Sequence, residues 1–369
     1  MTVEAQVTDP LEAQLLPRPA GLLRVCLVVP QSGALGLAGP SALDAALPAA
    51  PEVNVAGGAR GRRVDLVLVD GGRDPQTVAT EVRRLCDAGA VDVVTGFHTS
   101  DVHRAIEKVT ARRVPYVFTP PHEGGRRAPG VVCIGADPLS QLRGSIAWLT
   151  AAHRVRHWAL VGNDYIWPRA VHRVARQVVA RHGSRVVLER RVPLGGVRAG
   201  VGRLVDDLRR SGADAVLLSL VGRDLATFNA ALKHSGLHRS LVRLSGALEE
   251  NGLMAAGGDD SGLLYASMSS FATLDDDRRL GLLERHRALF GPEAPVLDTY
   301  AEGVYDGVRL VTRIAHHDAP AAPLAAAATA ATSAPTTTTR PDVHLAVADG
   351  LQFAVVRHPK MLPSGNFLA

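Results

Sequence analysis

The chain has 369 residues, 46% of them hydrophobic, and a formal charge of +5 at pH 7. That is more chain than one ordinary core accommodates and points to two domains of middling size. The cations are 38 arginines and only 3 lysines, scattered among acids as in RRLCDAG and DDLRRSG. Without a sustained basic run or interleaved aromatics, direct nucleic-acid binding is not expected.

Cys26, Cys86 and Cys133 are far apart, odd in number and free of CxxC spacing, so a disulfide framework is not expected and a reducing compartment fits. No run approaches the roughly 18 apolar residues of a membrane span.

In chain order, residues 1–21 read as a flexible N-terminal segment. They carry three acids before the first arginine and no apolar stretch ending in a small-residue cleavage site. A secretory leader is therefore not read, and a cytoplasmic location is expected, or a periplasmic or extracellular one if a leader is missing.

From residue 22 short apolar runs alternate with amphipathic stretches: LLRVCLVVP, VDLVLVD, VDVVTG, VPYVFTP, WALVG, SRVVLERRVPL, ADAVLLSL and LVRLSG. Several are apolar at nearly every position, as strands buried on both faces of a parallel sheet are. Between them DPQTVATEVRRLCDAG, SDVHRAIEKVTARR, PRAVHRVARQVVARHG and VGRLVDDLRRSG repeat apolar residues at helical spacing, and Gly closes several. Strand, helix, strand, repeated, means α/β with right-handed crossovers.

The pattern runs twice. One series occupies about 22–135, with strands ending at Pro30, Asp70, Gly96 and Thr119, and a second about 155–268. SALDAALPAAPEVNVAGG should be the first crossover helix, but Pro48 and Pro51 fall inside it. Because proline removes a donor and clashes with the preceding turn, the expectation is a short helix to Leu47 followed by irregular chain. Later, FGPEAP turns into the helical stretch DTYAEGVYDGVRLVTRIAHH, residues 319–341 drop into low-complexity Ala/Thr/Pro, and HLAVADGLQFAVVRHP reads as a hairpin turning at Asp349–Gly350.

In open parallel sheets ligands bind at the carboxyl ends of strands, where loops enter helices. Ser32 lies in the first such loop, QSGALGLAGP, whose GxxGxxG departs from the dinucleotide GxGxxG. In GFHTSD, where a strand ends at Gly96, Thr99, Ser100 and Asp101 beyond His98 are N-cap candidates: either one hydroxyl merely caps its helix, or backbone N–H groups and the second hydroxyl face a ligand carbonyl or carboxylate. Thr119 ends the next strand and opens its loop, and Val221, Gly222 and Glu249 follow strands of the second series.

Tyr165 and Trp167 stand two apart in VGNDYIWPRA, although only 15 residues of the chain are aromatic. They are read on a loop ahead of a helix opened by Pro168, either packed beneath the loop or walling a small ligand.

His98 and His103 have no third partner at ligand spacing, so no metal is expected, and no cofactor is implied. GxSxG is absent, and Asp164 and Glu249 are lone carboxylates. A catalytic site is therefore not expected, although a doubly wound enzyme remains an alternative.

The stretches VVPQSGALGLAGPS, DGGRDP, VTGFHTSDVHRAI, FTPPHEGG, VGNDYIWPRAVHRVARQ, RVPLG, DAVLLSLVG and YAEGVYDGVRL together resemble type I solute-binding proteins of the leucine and amide-urea families, over roughly residues 22–315. DYIWPR followed by a helix and RVPLG is the most specific part. The resemblance implies two Rossmann-like α/β lobes joined by three hinge crossings that close on ligand. Lobe 1 would take 22–138 plus 272–335, and lobe 2 would take 139–271 plus 342–360.

In the amide-binding branch, contact residues match His98, Ser100, Phe118, Pro120 and Tyr165, of which Ser100 and Tyr165 keep the branch's residue type and Thr119 adjoins a lost threonine. Amino-acid binders of this fold pair hydroxyls with the carboxylate and an acid with the ammonium, roles that Thr99, Ser100 and Glu249 would fill here.

With no leader read, the chain is most similar to the cytoplasmic sensor branch. The implied function is then a non-enzymatic sensor closing on a small amide, urea-like compound or amino acid and controlling an RNA-binding antitermination regulator. The alternatives are the substrate-binding component of an ABC importer, with an ABC permease as partner, and a degenerate relative that binds nothing. A homodimer is a further expectation.

Overall fold

The computed structural model describes residues 7–315 and 342–356. They form two compact units, one of residues 7–135, Tyr165–Trp167 and 275–315, the other of 136–164, 168–274 and 342–356. The expectations for 319–341 and 357–360 lie outside the described residues.

The first unit holds β1 (Val7–Thr8), α1 (Pro10–Leu15), β2 (Leu22–Val29), α2 (Gly39–Val55), β3 (Arg63–Asp70), α3 (Pro75–Asp87), β4 (Val93–Gly96), α4 (Ser100–Thr110), β5 (Tyr116–Phe118) and β6 (Val131–Cys133). The strands make one parallel sheet in the order β1-β3-β2-β4-β5-β6. All eight residues of β2 are buried, which is why LLRVCLVV carries no alternation: both faces of a central parallel strand are covered by helices.

Two expectations are corrected in this unit. Residues 7–15 are not a flexible segment, since Val7 and Thr8 pair with Leu66 and Val67 and Asp9 caps α1 by accepting from the N–H groups of Leu11 and Glu12. Nor does the helix after β2 stop at Leu47: α2 runs on through Pro48 and Pro51 to Val55. The two prolines forgo two helical hydrogen bonds, and burial offsets that loss. Ala42, Ala45, Ala46, Ala49 and Ala50 are fully buried on a helix that packs along α11 (Thr299–Ile314), and small side chains let the two backbones approach. Ser41 Oγ also donates to Asp298, whose carboxylate caps α11, at 2.9 Å.

The second unit holds α5 (Pro138–Ala152), β7 (His157–Asn163), most of α6 (Ile166–Arg181), β8 (Arg185–Val192), α7 (Val197–Arg210), β9 (Ala215–Ser219), α8 (Gly222–His234), β10 (Val242–Ser245), α9 (Glu250–Ala255) and β11 (Leu264–Met268). After α10 (Asp277–Phe290) and α11, which belong to the first unit, its sheet is finished by β12 (His344–Asp349) and β13 (Gln352–Val355). The order is β13-β12-β11-β10-β9-β7-β8, parallel except for the two antiparallel terminal strands.

The terminal hairpin turns at Gly350–Leu351, one residue beyond the expected place. Asp349 still pairs with Gln352, and Gly350, at φ 62°, supplies the positive φ that a two-residue hairpin turn needs. Pro168 is the third residue of α6 rather than its first; any of the first four N–H groups of a helix lacks an internal partner, so proline is tolerated there.

Each sheet has one place where consecutive connections leave in opposite directions: between β2 and β4 in the first, between β7 and β9 in the second. In the first, an added Cβ on Gly96 would lie 1.9 Å from the Val28 carbonyl oxygen, so only glycine lets β4 close against β2. Gly96→Ala should lower the unfolding free energy by about 3 kcal/mol in denaturant titrations, the cost of overpacking a rigid core. Gly202→Ala, inside α7 with nothing within 4 Å of the new methyl, should raise it by up to about 1 kcal/mol.

Candidate functional site

The reversal points are where doubly wound sheets leave a crevice for ligand, and the loops at each follow from local chemistry. In the first unit Asp70 ends β3 and its carboxylate accepts from Ser32 Oγ at 2.6 Å, Gln31 N at 2.8 Å and Gly72 N at 2.8 Å. Burial alone would raise the Asp70 carboxyl, but these bonds outweigh it and hold the group below the usual carboxylate range. Gly72 can approach because it lacks a side chain: a Cβ there would meet the Ser32 carbonyl oxygen at 2.0 Å. Ser32 is exposed but its hydroxyl is engaged by Asp70, so its role is to fix the loop.

The next loop carries His98, Thr99 and Ser100 into α4. Thr99 is the N-cap residue, yet its side chain makes no capping bond. The reading in which one hydroxyl closes this helix therefore does not describe Thr99. Asp101, in the first turn, accepts from Ile166 N at 3.2 Å within the same unit. Ser100 is buried at the first helical position, where orphan N–H groups and the helix dipole favour a negative or carbonyl group.

His98 is 2% exposed and belongs to a buried relay. Its Nδ1 lies 3.3 Å from the Thr99 carbonyl and its Nε2 3.1 Å from Tyr116 Oη. Tyr116 Oη lies 2.9 Å from His103 Nδ1, His103 Nε2 lies 3.9 Å from Cys133 Sγ, and Arg127 Nε donates to that sulfur at 2.9 Å. One proton arrangement satisfies every member: each imidazole donates from Nδ1 and accepts at Nε2, and the tyrosine donates to His98. Phe118 stacks on His103 with ring centroids 4.1 Å apart. Burial lowers both imidazoles, His98 to about 4, so both are neutral at pH 7. Thr119 Oγ1 donates to the Gly96 carbonyl at 3.1 Å, and the Pro120 carbonyl is crossed closely by Gly135, where a Cβ would stand 2.1 Å from it. His98, Phe118, Thr119 and Pro120 are thus held by the unit itself.

Tyr165 and Trp167 are 6% and 4% exposed and group with the first unit. Trp167 is the second residue of α6 rather than a loop residue. Its Nε1–H is buried with no acceptor among the described residues. Burial, then the nearby charges of Asp101 and Glu123, raises the Tyr165 phenol, which keeps it a neutral hydrogen-bonding group.

In the second unit the reversal point is closed by its own polar groups. Asn163, fully buried at the end of β7, accepts from Val221 N at 3.0 Å and donates to Asp224 at 2.6 Å. Asp224 also accepts from Gly195 N at 2.7 Å and Val197 N at 3.2 Å, tying the starts of α7 and α8 to one carboxylate. Gly222 opens α8 at φ 49°. Glu249 is buried and caps α9, accepting from Asn251 N at 2.6 Å and Gly252 N at 2.8 Å. Asp164 is exposed and paired with Arg169 at 2.9 Å. Among the described residues no three His, Cys, Asp or Glu side chains converge as metal ligands.

A family model described as periplasmic binding protein matches residues 23–350. The chain belongs to the periplasmic binding protein family. Solved structures agree on the fold. A periplasmic binding protein from Burkholderia mallei is 16% identical with a TM-score of 0.77, the match covering 92% of this chain and 95% of that one. A putative branched-chain amino acid ABC transporter from Rhodospirillum rubrum is 20% identical at TM-score 0.60, covering 91% and 100%. An ABC transporter solute-binding protein from Rhodopseudomonas palustris, in complex with benzoate, is 16% identical at 0.74, covering 91% and 95%.

Within this periplasmic binding protein, Ser32, His98, Thr99, Ser100, Phe118, Thr119 and Pro120 all come to the carboxyl edge of the first sheet, and Val221, Gly222 and Glu249 to that of the second. Sequence reasoning missed the groups that organise those edges. Asp70 stands in the sequence only as the end of a strand, although Asp-Gly-Gly at that place is a signal for a carboxylate holding a close loop. Asn163 and Asp224 carried no local signal, since their bonds span some 30 to 60 positions.

Two stability predictions follow from this geometry. The unfolded His98 imidazole titrates near 6.5 and the folded one near 4, so the unfolded chain takes up the proton first. Stability is then fully present above pH 6.5 and is lost as pH falls toward 4. Denaturant titrations across that window should lose on the order of 3 kcal/mol, and His98→Asn should reduce the slope. Asp224→Ala, which removes the 2.6 Å acceptor of Asn163 Nδ2 and strands the N–H groups of Gly195 and Val197, should cost about 3 kcal/mol at neutral pH.

Proposed function

We propose that this chain is the substrate-binding component of an ABC importer and takes a small, acceptor-rich solute, foremost a carboxylate such as an amino acid or a small organic acid. The observation that carries the reading is the start of α4, where the Thr99 side chain makes no capping bond beside the buried Ser100. Trp167 adds a buried N–H without an acceptor in the same unit. These are donors. Glu249, the acid that would receive an ammonium, already accepts two backbone N–H groups, which weights the reading toward the carboxylate end of the ligand. The relatives from R. rubrum and R. palustris, described by branched-chain amino acid transport and by a benzoate complex, support the same class.

A second reading, the cytoplasmic sensor of amides or urea that controls a regulatory partner, draws on DYIWPR and RVPLG, with Ser100 and Tyr165 in place. Amides and ureas also present carbonyl acceptors, so a ligand panel separates the two. Amino acids, aromatic and aliphatic carboxylates, amides and urea should be compared by thermal shift. A solute at a hundredfold excess over its Kd adds about 2.7 kcal/mol to stability. At least one carboxylate should raise the melting temperature, and Ser100→Ala should weaken it at least tenfold. Silence from every carboxylate alongside a response to amides would favour the sensor; silence throughout would contradict both.

A further inference from the structure

The net charge of the chain is concentrated in one place. Residues 168–210 contain eleven arginines, no lysine and only three carboxylates, Glu189, Asp206 and Asp207, while the rest of the chain is slightly acidic. All eleven arginines are exposed. They belong to α6, β8 and α7, and both helices reach the strand between them: Arg176 of α6 pairs with Glu189 of β8 at 3.1 Å, and Asp207 of α7 with Arg190 of β8 at 2.8 Å. The carboxylates are oversubscribed. Glu189 also lies 3.8 Å from Arg191, and Asp207 also serves Arg210 at 2.8 Å. Arg173, Arg181, Arg185, Arg198 and Arg203 have no carboxylate within ion-pair distance among the described residues.

This charge borders an unused strand edge. β8 ends the sheet and pairs only with β7 among the described residues. The other sheet ends, β1, β6 and β13, are two, three and four residues long, as expected where proteins limit edge pairing; β8 has eight. The register steps at Val187, a bulge that blunts the first part, but Leu188–Val192 then runs in unbroken register with Ala159–Asn163. Of its backbone groups facing away from β7, the Glu189 carbonyl accepts from Arg190 Nη1 at 3.1 Å, a contact an added strand would compete for while pairing with the others.

We infer that the β8 edge of the second unit is a docking site for an extended, acidic segment of a partner protein. The segment would add a strand beside Leu188–Val192 and set its carboxylates against the arginines of β8, α6 and α7. Guanidinium forks match carboxylates in pairs, which suits an arginine-only surface. An anionic bilayer would meet the charge but not the row of strand hydrogen-bonding groups, so the peptide is the occupant. Charge placed on an edge solely to repel other strands would bind neither.

The test uses the full chain and a fluorescein-labelled ten-residue peptide of alternating glutamate and threonine, read by anisotropy at low ionic strength. The peptide should bind, weaken steeply with added salt, and weaken at least tenfold with Arg190→Gln/Arg191→Gln. Arg185→Glu/Arg198→Glu, at residues without ion-pair partners, should weaken it similarly with the melting temperature unchanged. A peptide of the same charge N-methylated at alternate residues should bind at least tenfold more weakly. No binding, indifference to both double variants, or equal binding of the N-methylated peptide would overturn the proposal. So would capture by phosphatidylglycerol vesicles without peptide binding. The solute panel does not involve this edge, so failure here leaves the ligand reading standing, and the reverse holds.

Discussion

At the carboxyl edge of each parallel sheet, where connections reverse direction, a carboxylate holds the loops by accepting backbone N–H groups: Asp70 takes Gln31 and Gly72, and Asp224 takes Gly195 and Val197. Loops at such an edge have no ladder to satisfy their donors, and an ionised acceptor is among the strongest local substitutes. Glycines make the geometry possible, since Gly72 and Gly96 bring backbone against backbone where a methyl group would collide. The edges are therefore held by the chain's own groups.

That construction narrows what recognition can use. Glu249 spends its carboxylate on α9, Thr119 spends its hydroxyl on Gly96, and the imidazole of His98 is committed to Tyr116 and the Thr99 carbonyl. Apart from the Asp101 carboxylate, which accepts from Ile166 N, the remaining polar character at the start of α4 and on Trp167 is donor character, and donors select acceptors. The buried relay beneath α4 adds rigidity, because a proton arrangement with a single direction fixes the ring orientations that carry the loop.

Much of the fold was legible because its signals are local. Uniformly apolar runs marked β2, β7, β9 and β10, and amphipathic spacing marked α3, α4 and α7. The failures share a cause, which is tertiary context overriding a local rule. Pro48 and Pro51 remain helical because the alanine face of α2 is buried against α11, and residues 7–15 are ordered because β3 offers them an edge. In the candidate site, strand ends located the right loops, but not which side chains would be consumed by the architecture. Asp224 and Asn163 meet across 61 positions, and no window of sequence shows that they do.

The central claim, that solute is taken at the reversal point of the first sheet, is tested most directly by hydrogen–deuterium exchange with and without a solute that raises the melting temperature. Bound solute should slow exchange of the backbone amides of residues 97–102 and 165–167 while leaving those of Leu188–Val192 unchanged. Protection confined to other segments, with residues 97–102 exchanging as in the free protein, would contradict it.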